Sequence, residues 1–260
     1  FPTRRSSDLL DASSLSKIPE WQRWNDYGIG LLLKGKAELK QAGEAFAKVE
    51  ALGRFDGPLN MAQVQFAEGD LNGATESLRR AADMDPPPPS WTHGWLSGIV
   101  NRQQGNLDAA AESLRAVLQT KVPERGFDFS LDYAVRNALG LTLVDLAQRA
   151  EVMGDKAGFD ETVQDAIHQF KLVLDVDSEN VTAHANLAEI YGLIGDVEQE
   201  RLHRTLHARY KPDENAAEVA IPAARRRYPA ANHAAEALVI YDLQRIEVAT
   251  DVEPDVAAAD

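Results

Sequence analysis

The pattern Glu-x-x-His-x-x-x-His near residue 200 holds the side chains best suited to metal binding. His203 and His207 are four residues apart and Glu200 is one turn earlier, so a helix would place all three on one face. Imidazole and carboxylate groups at this spacing can ligate zinc. However, Arg201 and Arg204 would repel a cation, and the spacing supplies no assured further ligand. We therefore interpret this segment as a solvated helix face and keep the two histidines as an alternative metal site.

Other arrangements that carry out chemistry are missing from the sequence. It contains no Gly-x-Ser-x-Gly nucleophile turn, no phosphate-binding glycine loop and no His-Glu-x-x-His zinc pattern. The lack of cysteine excludes disulfides, thiolate zinc sites and covalent haem attachment within this segment. The basic run at residues 225–227 could hold an anion, but cations near a helix C-terminus are favoured in any case. The sequence therefore predicts a non-catalytic protein without a cofactor of its own.

The composition provides ample material for a core and a strong negative charge. Hydrophobic residues make up 44% of the chain, and 27 basic against 41 acidic residues give a formal net charge of −14. That charge argues against a nucleic-acid partner, because phosphate backbones require Lys and Arg patches. A basic peptide or protein fits better. No apolar run approaches the roughly 18 residues of a membrane span, so no membrane insertion is predicted.

Two segments, GDLNGATESLRRAADMDP and GNLDAAAESLRAVLQTKVP, superimpose on one another. Ala74 and Leu78 in the first correspond to Ala110 and Leu114 in the second, and each segment closes with a proline. The small residue lets one helix approach another, and the larger apolar residue four positions later fills the neighbouring space. This arrangement resembles the tetratricopeptide repeat, a helix pair of about 34 residues. The resemblance implies an all-α, helix-turn-helix superhelical solenoid.

The same register finds about five copies along the chain. In the first copy it assigns Gly30 to the helix crossing, and in the fourth it predicts two lengthened helices around residues 153–155. In the last copy Glu200 and Arg204 occupy expected small and apolar positions, so we expect that helix to be rotated or partly exposed. The predicted boundaries are an array over 10–212 (about 20–54, 55–88, 89–123, 127–178 and 179–212), capping helices over 213–247 and a flexible acidic tail over 248–260.

Repeats of this family bind partners on a concave surface formed by outward positions of the first helix of each pair. Mapping those positions gives aromatic, apolar and arginine side chains, the mixture typical of binding hot spots. Some of the aromatic residues could instead pack between repeats. The Lys/Asn pattern with which some of these repeats hold a peptide carboxylate is absent. The predicted partner-binding residues are Trp24, Tyr27, Gln63, Phe66, Trp95, Ile99, Arg102 and Asn137.

A second, narrower resemblance covers residues 203–245. HRTLHARYKPDENAAEVAI and PAANHAAEALVIYDLQR resemble the end of large bacterial proteins that join a multihaem cytochrome c module to C-terminal tetratricopeptide repeats. The resemblance implies a haem-binding module upstream and a periplasmic location. Two hypotheses follow: a scaffold that binds a peptide or protein, or, alternatively, the accessory tail of a periplasmic multihaem cytochrome c or other extracytoplasmic enzyme.

The first nine residues, FPTRRSSDL, match neither the helical pattern nor a signal peptide. Their codons can be written as the translated end of a common short-read sequencing adapter. We therefore expect residues 1–9 to be extraneous and the chain to be an N-terminally truncated piece of a larger bacterial protein. On this interpretation any signal peptide is lost, and the compartment cannot be read from the sequence.

Overall fold

The computed structural model describes residues 18–211, together with residues 223, 226 and 227. The extraneous segment predicted at residues 1–9, most of the predicted capping helices and the predicted tail lie outside the described residues. Ten α-helices occupy the described part of the chain. They are α1 Glu20–Lys34, α2 Leu39–Ala51, α3 Asp56–Glu68, α4 Leu71–Ala82, α5 Ser90–Gln103, α6 Leu107–Leu118, α7 Tyr133–Met153, α8 Lys156–Val176, α9 Val181–Leu193 and α10 Val197–Tyr210.

Short polar residues begin several of these helices. Asp70 precedes α4, and its Oδ1 accepts a hydrogen bond from the Gly73 backbone N–H at 2.9 Å. Asp155 makes the equivalent bond at the start of α8. Such side chains satisfy backbone donors that the first turn of a helix leaves unpaired. Gly69 and Gly154 end α3 and α7 in the left-handed conformation, which glycine adopts without steric cost.

In three of the helix pairs a glycine of the first helix lies against a large side chain of the second. A Cβ at Gly98 would lie 2.7 Å from the Leu114 side chain, so the missing side chain is what lets α5 and α6 approach. Ala74, Ala110 and Leu114 are fully buried. The predicted all-α, tetratricopeptide-type solenoid is therefore confirmed, as are the lengthened helices of the fourth pair, α7 and α8.

The pairs stack in sequence order, and consecutive first helices also contact one another. These contacts join α1 to α3, α3 to α5, α5 to α7 and α7 to α9. We call this succession of first helices the first-helix row. Three clusters of buried apolar residues fill the space between neighbouring pairs, so the core runs along the solenoid. Numbered along the chain, the first core cluster contains Phe46, the second contains Leu78 and the third contains Phe170.

A small β-ribbon interrupts the otherwise all-α array at one place in the described residues. Between α6 and α7, β1 (Lys121–Val122) pairs antiparallel with β2 (Phe127–Asp128), and a 3-10 turn joins them. Lys121 lies opposite Asp128, and their side chains form an ion pair with an Nζ–Oδ2 distance of 2.8 Å. A second 3-10 turn, Phe129–Leu131, leads into α7. This insertion over residues 119–132 is longer than the connections at 52–55 and 177–180.

Candidate interaction surface

The first helix of the array has a different register from the predicted one. Gly28, not Gly30, is the small residue at the helix crossing, because a Cβ at Gly28 would lie 2.6 Å from the Phe46 ring. The shift of two positions turns Trp24 toward α2, where the Lys48 ammonium sits 3.6 Å from the centre of its ring. Tyr27 packs against the first core cluster. Trp24 therefore contacts the protein's own second helix and Tyr27 packs against the core, while both side chains remain half-buried, so their role in binding a partner stays a prediction.

The corrected register places other residues of α1 on the first-helix row. Asn25 accepts a hydrogen bond from Asn60 Nδ2 of α3 at 2.8 Å, which identifies the face of α1 that looks along the row. Ile29 and Leu33 follow at intervals of four residues on that same face. They are 36% and 65% exposed. Sequence reasoning missed both because its register in α1 was displaced.

The predicted residues of α3 and α5 are half-buried. Phe66 and Ile99 pack against the second core cluster, and Trp95 packs against both the second and the third along the chain. These side chains therefore combine a structural contact between repeats with a partly exposed surface. Because these side chains are already packed, they have little conformational freedom left to lose. The entropic cost of ordering them against a partner would therefore be small.

Hydrogen bonds and an ion pair link neighbouring helices of the row. Gln63 Nε2 donates to Asn60 Oδ1 at 2.8 Å, which continues the bond from Asn60 to Asn25. Arg102 Nε of α5 donates to Asp145 Oδ2 of α7 at 2.8 Å. Arg102, the cationic residue among the predicted binding residues, is therefore already paired with Asp145.

Asn137 is the least exposed of the predicted binding residues. It is only 8% exposed, and its Nδ2 donates to Asn180 Oδ1 at 3.3 Å. Asn180 in turn begins α9 by accepting from the Ala183 N–H. Oδ1 of Asn137 is buried without a hydrogen-bond partner. Asn137 thus connects α7 to the start of α9 in the interior.

The two histidines considered for a metal have separate partners. His203 is only 7% exposed, so the prediction of a solvated face is wrong for this residue. The expectation that the helix is rotated or partly exposed is confirmed in its second form, because Leu202 is 48% exposed and Arg204 is exposed as well. His203 Nδ1 lies 2.9 Å from His184 Nδ1, whereas His207 Nδ1 lies 3.1 Å from the Val181 carbonyl oxygen. Within the part of the chain that the structure describes, no three His, Cys, Asp or Glu residues are grouped to hold a metal.

Sequence reasoning also missed a cleft beside the insertion. Trp91 and Trp95 of α5 and Phe129 of the second 3-10 turn line it together with Asp132. Phe127, Leu131 and Tyr133 nearby in the chain are at least half exposed. Spacing alone could have suggested that Trp91 and Trp95 share a face, but the approach of Phe129 depends on the β-ribbon.

Among the helices that the structure describes, none combines the length and the apolar character that a membrane span requires.

Comparisons with known proteins agree with this geometry. The tetratricopeptide-repeat family model matches residues 59–125, which include most of α3 and all of α4 to α6. A search of curated protein sequences found no match.

Solved structures with a similar fold include two of MamA and one of IFIT1. One, described as crystal structure of MamA, has a TM-score of 0.53 at 15% identity over 77% of this chain and 98% of that chain. MamA AMB-1 gives 0.55 at 18% identity over 74% and 98%. A monomeric mutant of IFIT1 with Gppp-AAAA gives 0.55 at 16% identity over 74% of this chain and 42% of that one. The described part of this chain therefore has the fold of a tetratricopeptide-repeat solenoid, with the match to the family's sequence model at residues 59–125.

Proposed function

We propose that this protein is a non-catalytic scaffold that binds a peptide or protein partner along the first-helix row. The observation that carries the proposal is the set of partly exposed apolar side chains on that row. They continue from one helix pair to the next, in the order Ile29, Leu33, Phe66, Ile99 and Leu141. Their polar neighbours are engaged in bonds between helices, so the apolar groups are the ones that gain most from a partner.

The charge of the chain favours a basic partner. With a formal net charge of −14, the protein attracts cationic surfaces and repels polyanions. The IFIT1 structure with a similar fold contains Gppp-AAAA, which is an RNA ligand of that protein. For this chain the negative charge makes an RNA partner less favourable, because each phosphate contact requires a compensating cation.

A peptide selection tests the proposal directly. Phage-displayed random peptides would be selected on the wild-type protein, and the affinity of a fluorescent copy of a recovered peptide would be measured by anisotropy. Ile99→Gln and Leu141→Gln remove apolar surface from the row without adding charge. Each should weaken binding by about tenfold, since hot-spot residues contribute about 1.4 kcal/mol or more.

A matched control is available at the tip of the fourth helix pair. Val152 is 89% exposed near the end of α7, so Val152→Gln makes the same kind of change on an apolar side chain remote from the middle of the row. It should leave affinity unchanged. Circular dichroism melting would establish that all three variants fold. Equal affinity of folded Ile99→Gln, Leu141→Gln and wild-type protein would refute the assignment of the row.

The accessory-tail hypothesis addresses the parent protein. Its resemblance covers residues 203–245, of which the structure describes residues 203–211 and three further positions. It makes a separate prediction, namely haem-attachment motifs in the upstream reading frame. Such a frame would extend the scaffold proposal, because the array would then dock partners for an attached redox module.

A further inference from the structure

The aromatic cleft beside the insertion has a cavity of about 220 Å³ between α5, the second 3-10 turn and the start of α7. Trp91 and Trp95 lie one helical turn apart, and the Trp91 and Phe129 rings stack with centroids 5.8 Å apart at 30°. Val117 and Val135 complete its apolar walls. Large aromatic rings therefore surround a space that is open to a ligand side chain.

One carboxylate is present among these rings. Asp132 lines the cleft and begins α7, and its Oδ1 accepts from the Ala134 and Val135 backbone N–H groups at 2.9 and 3.1 Å. Both bonds end on the same oxygen, which leaves Oδ2 available to a ligand. Ring faces carry negative electrostatic potential, so the rings and the carboxylate favour the same sign of charge.

Two basic side chains near the cleft, Lys121 of the insertion and Arg136 of α7, are engaged elsewhere, and the exposed Arg125 of the insertion does not line the cleft. Lys121 pairs with Asp128 at 2.8 Å. Arg136 donates from Nε to the Ser130 carbonyl oxygen at 2.7 Å and from Nη1 to Gln169 at 2.8 Å. No Lys, Arg or His is among the described residues that line the cleft. The cleft therefore has cation-attracting groups without a cation of its own.

We propose that the aromatic cleft binds an arginine side chain of the partner peptide. A guanidinium group is planar, stacks on aromatic faces and donates several hydrogen bonds to a carboxylate, whereas an ammonium acts as a compact, strongly hydrated charge. The acidic charge of the whole chain would raise the local concentration of such a ligand. The proposal rests on the proposed scaffold function and adds a specificity site to it, at the N-terminal ends of α5 and α7 and apart from Ile99 and Leu141.

The test uses N-acetyl-arginine amide as the probe and N-acetyl-citrulline amide as its uncharged counterpart of the same shape. Trp21→Phe and Trp24→Phe would be introduced first, so that tryptophan fluorescence reports on Trp91 and Trp95. The arginine amide should give a saturable fluorescence change, and the citrulline amide should bind at least about fivefold more weakly, in line with the strength of a cation–aromatic contact.

Asp132→Asn is the informative variant, because asparagine begins a helix as well as aspartate does but lacks the charge. It should weaken arginine amide binding about fivefold or more while leaving the melting temperature nearly unchanged. Asp155→Asn is the matched control, since Asp155 plays the same capping role at α8. Trp91→Ala should also weaken binding, and circular dichroism would show whether it folds.

The outcomes separate this proposal from the scaffold proposal. Equal binding of the arginine and citrulline amides, or of wild-type and Asp132→Asn protein, would overturn the arginine site whatever the first-helix row does. Arginine amide binding that Asp132→Asn removes and Ile99→Gln leaves intact would support it. If Ile99→Gln and Leu141→Gln left the affinity for the selected peptide unchanged while arginine amide still bound, the arginine site in the cleft would be supported. The first-helix row would then be refuted as the peptide-binding surface.

Discussion

The imidazoles of His184 and His203 meet inside the last helix pair, with their Nδ1 atoms 2.9 Å apart. His184 Nε2 lies 3.1 Å from the Ser178 carbonyl oxygen, which can only accept, so this nitrogen must carry a proton. In a neutral His184, Nδ1 is then the acceptor. With His184 neutral, His203 Nδ1–H therefore donates to His184 Nδ1.

The surroundings of His203 favour its neutral form. It stacks on Tyr191 with ring centroids 5.7 Å apart, and His184 stacks on Tyr210 at the same distance. Burial, followed by the positive charges of His184 and Lys171, lowers the pKa of His203 below its ordinary value. At a pH between the lowered pKa and the ordinary one, the unfolded chain binds more protons than the folded chain.

The first prediction is that acid weakens the last helix pair. Because the unfolded state takes up the extra proton, the contribution of His203 to the free energy of unfolding is present above the ordinary histidine pKa and is lost as the pH falls below it. His203→Gln keeps a donor for His184 but cannot titrate. Urea unfolding at pH 7.5 and pH 5.0 should show a smaller pH effect in this variant. His168→Gln changes an exposed histidine and should show the same pH effect as the wild-type protein. A pH effect in His203→Gln as large as that of the wild-type protein would contradict the prediction.

The second prediction concerns the crossing of α7 and α8. A Cβ at Gly140 would lie 2.5 Å from Cζ of Phe170, a fully buried ring in a packed core. Gly140→Ala should therefore lower the free energy of unfolding by about 1–3 kcal/mol, despite alanine's better helix propensity. Gly43→Ala in α2 is the control, because its Cβ would make ordinary contact with Met61 at 3.6 Å. That change should be neutral or stabilising.

A double-mutant cycle would assign the effect to this contact. In a Phe170→Leu background the smaller side chain makes room for the added methyl group, so the cost of Gly140→Ala should fall. Urea denaturation of the four proteins measures the coupling. A cost that is the same in both backgrounds would show that crowding against Phe170 is not the cause.

The sequence predicted the helix pairs well, because Ala74 and Leu78 recur as Ala110 and Leu114 in two segments that superimpose and that both close with a proline. The sequence assigned the wrong glycine of α1 to the helix crossing. Gly28 and Gly30 satisfy the same small-residue pattern, and only the contact with Phe46 distinguishes them. A register error of two residues changes which face of a helix is outward.

Long-range contacts account for the other misses. The β-ribbon depends on pairing between Lys121 and Asp128 across a short turn, and periodicity over two-residue strands carries no signal. The buried His203 depends on His184, which is 19 residues away and belongs to the facing helix. A polar residue at an inward position therefore resembled an exposed one until its partner was known.

The third prediction separates an interior role of Asn137 from a binding role. Its Oδ1 is buried without a partner, which costs on the order of 1–3 kcal/mol, whereas its Nδ2 bond of 3.3 Å is long. Asn137→Leu should therefore leave the free energy of unfolding unchanged or raise it by about 1 kcal/mol, and should not alter affinity for a selected peptide. Reduced affinity in a protein of unchanged stability would instead indicate that Asn137 contacts the partner.

The fourth prediction concerns the ion pair between Arg102 and Asp145, which joins α5 to α7. Both side chains are about one-third exposed, so water and salt screen their attraction, and the pair should contribute about 0–1 kcal/mol to stability. Arg102→Ala, Asp145→Ala and the double variant would measure this coupling by urea unfolding, and it should shrink as salt is added.

Binding should respond to the same two residues in opposite directions. Arg102→Ala releases the Asp145 carboxylate on the first-helix row, which adds an unpaired negative charge one helical turn from Leu141 and should strengthen binding of a basic selected peptide at low salt. Asp145→Ala releases the Arg102 guanidinium and should weaken it. The association rate constant, measured by stopped-flow anisotropy at two salt concentrations, reports the charge effect directly. If both single variants weakened binding equally, the ion pair would be acting through the positions of α5 and α7, and the charge argument for a basic partner would be wrong at this site.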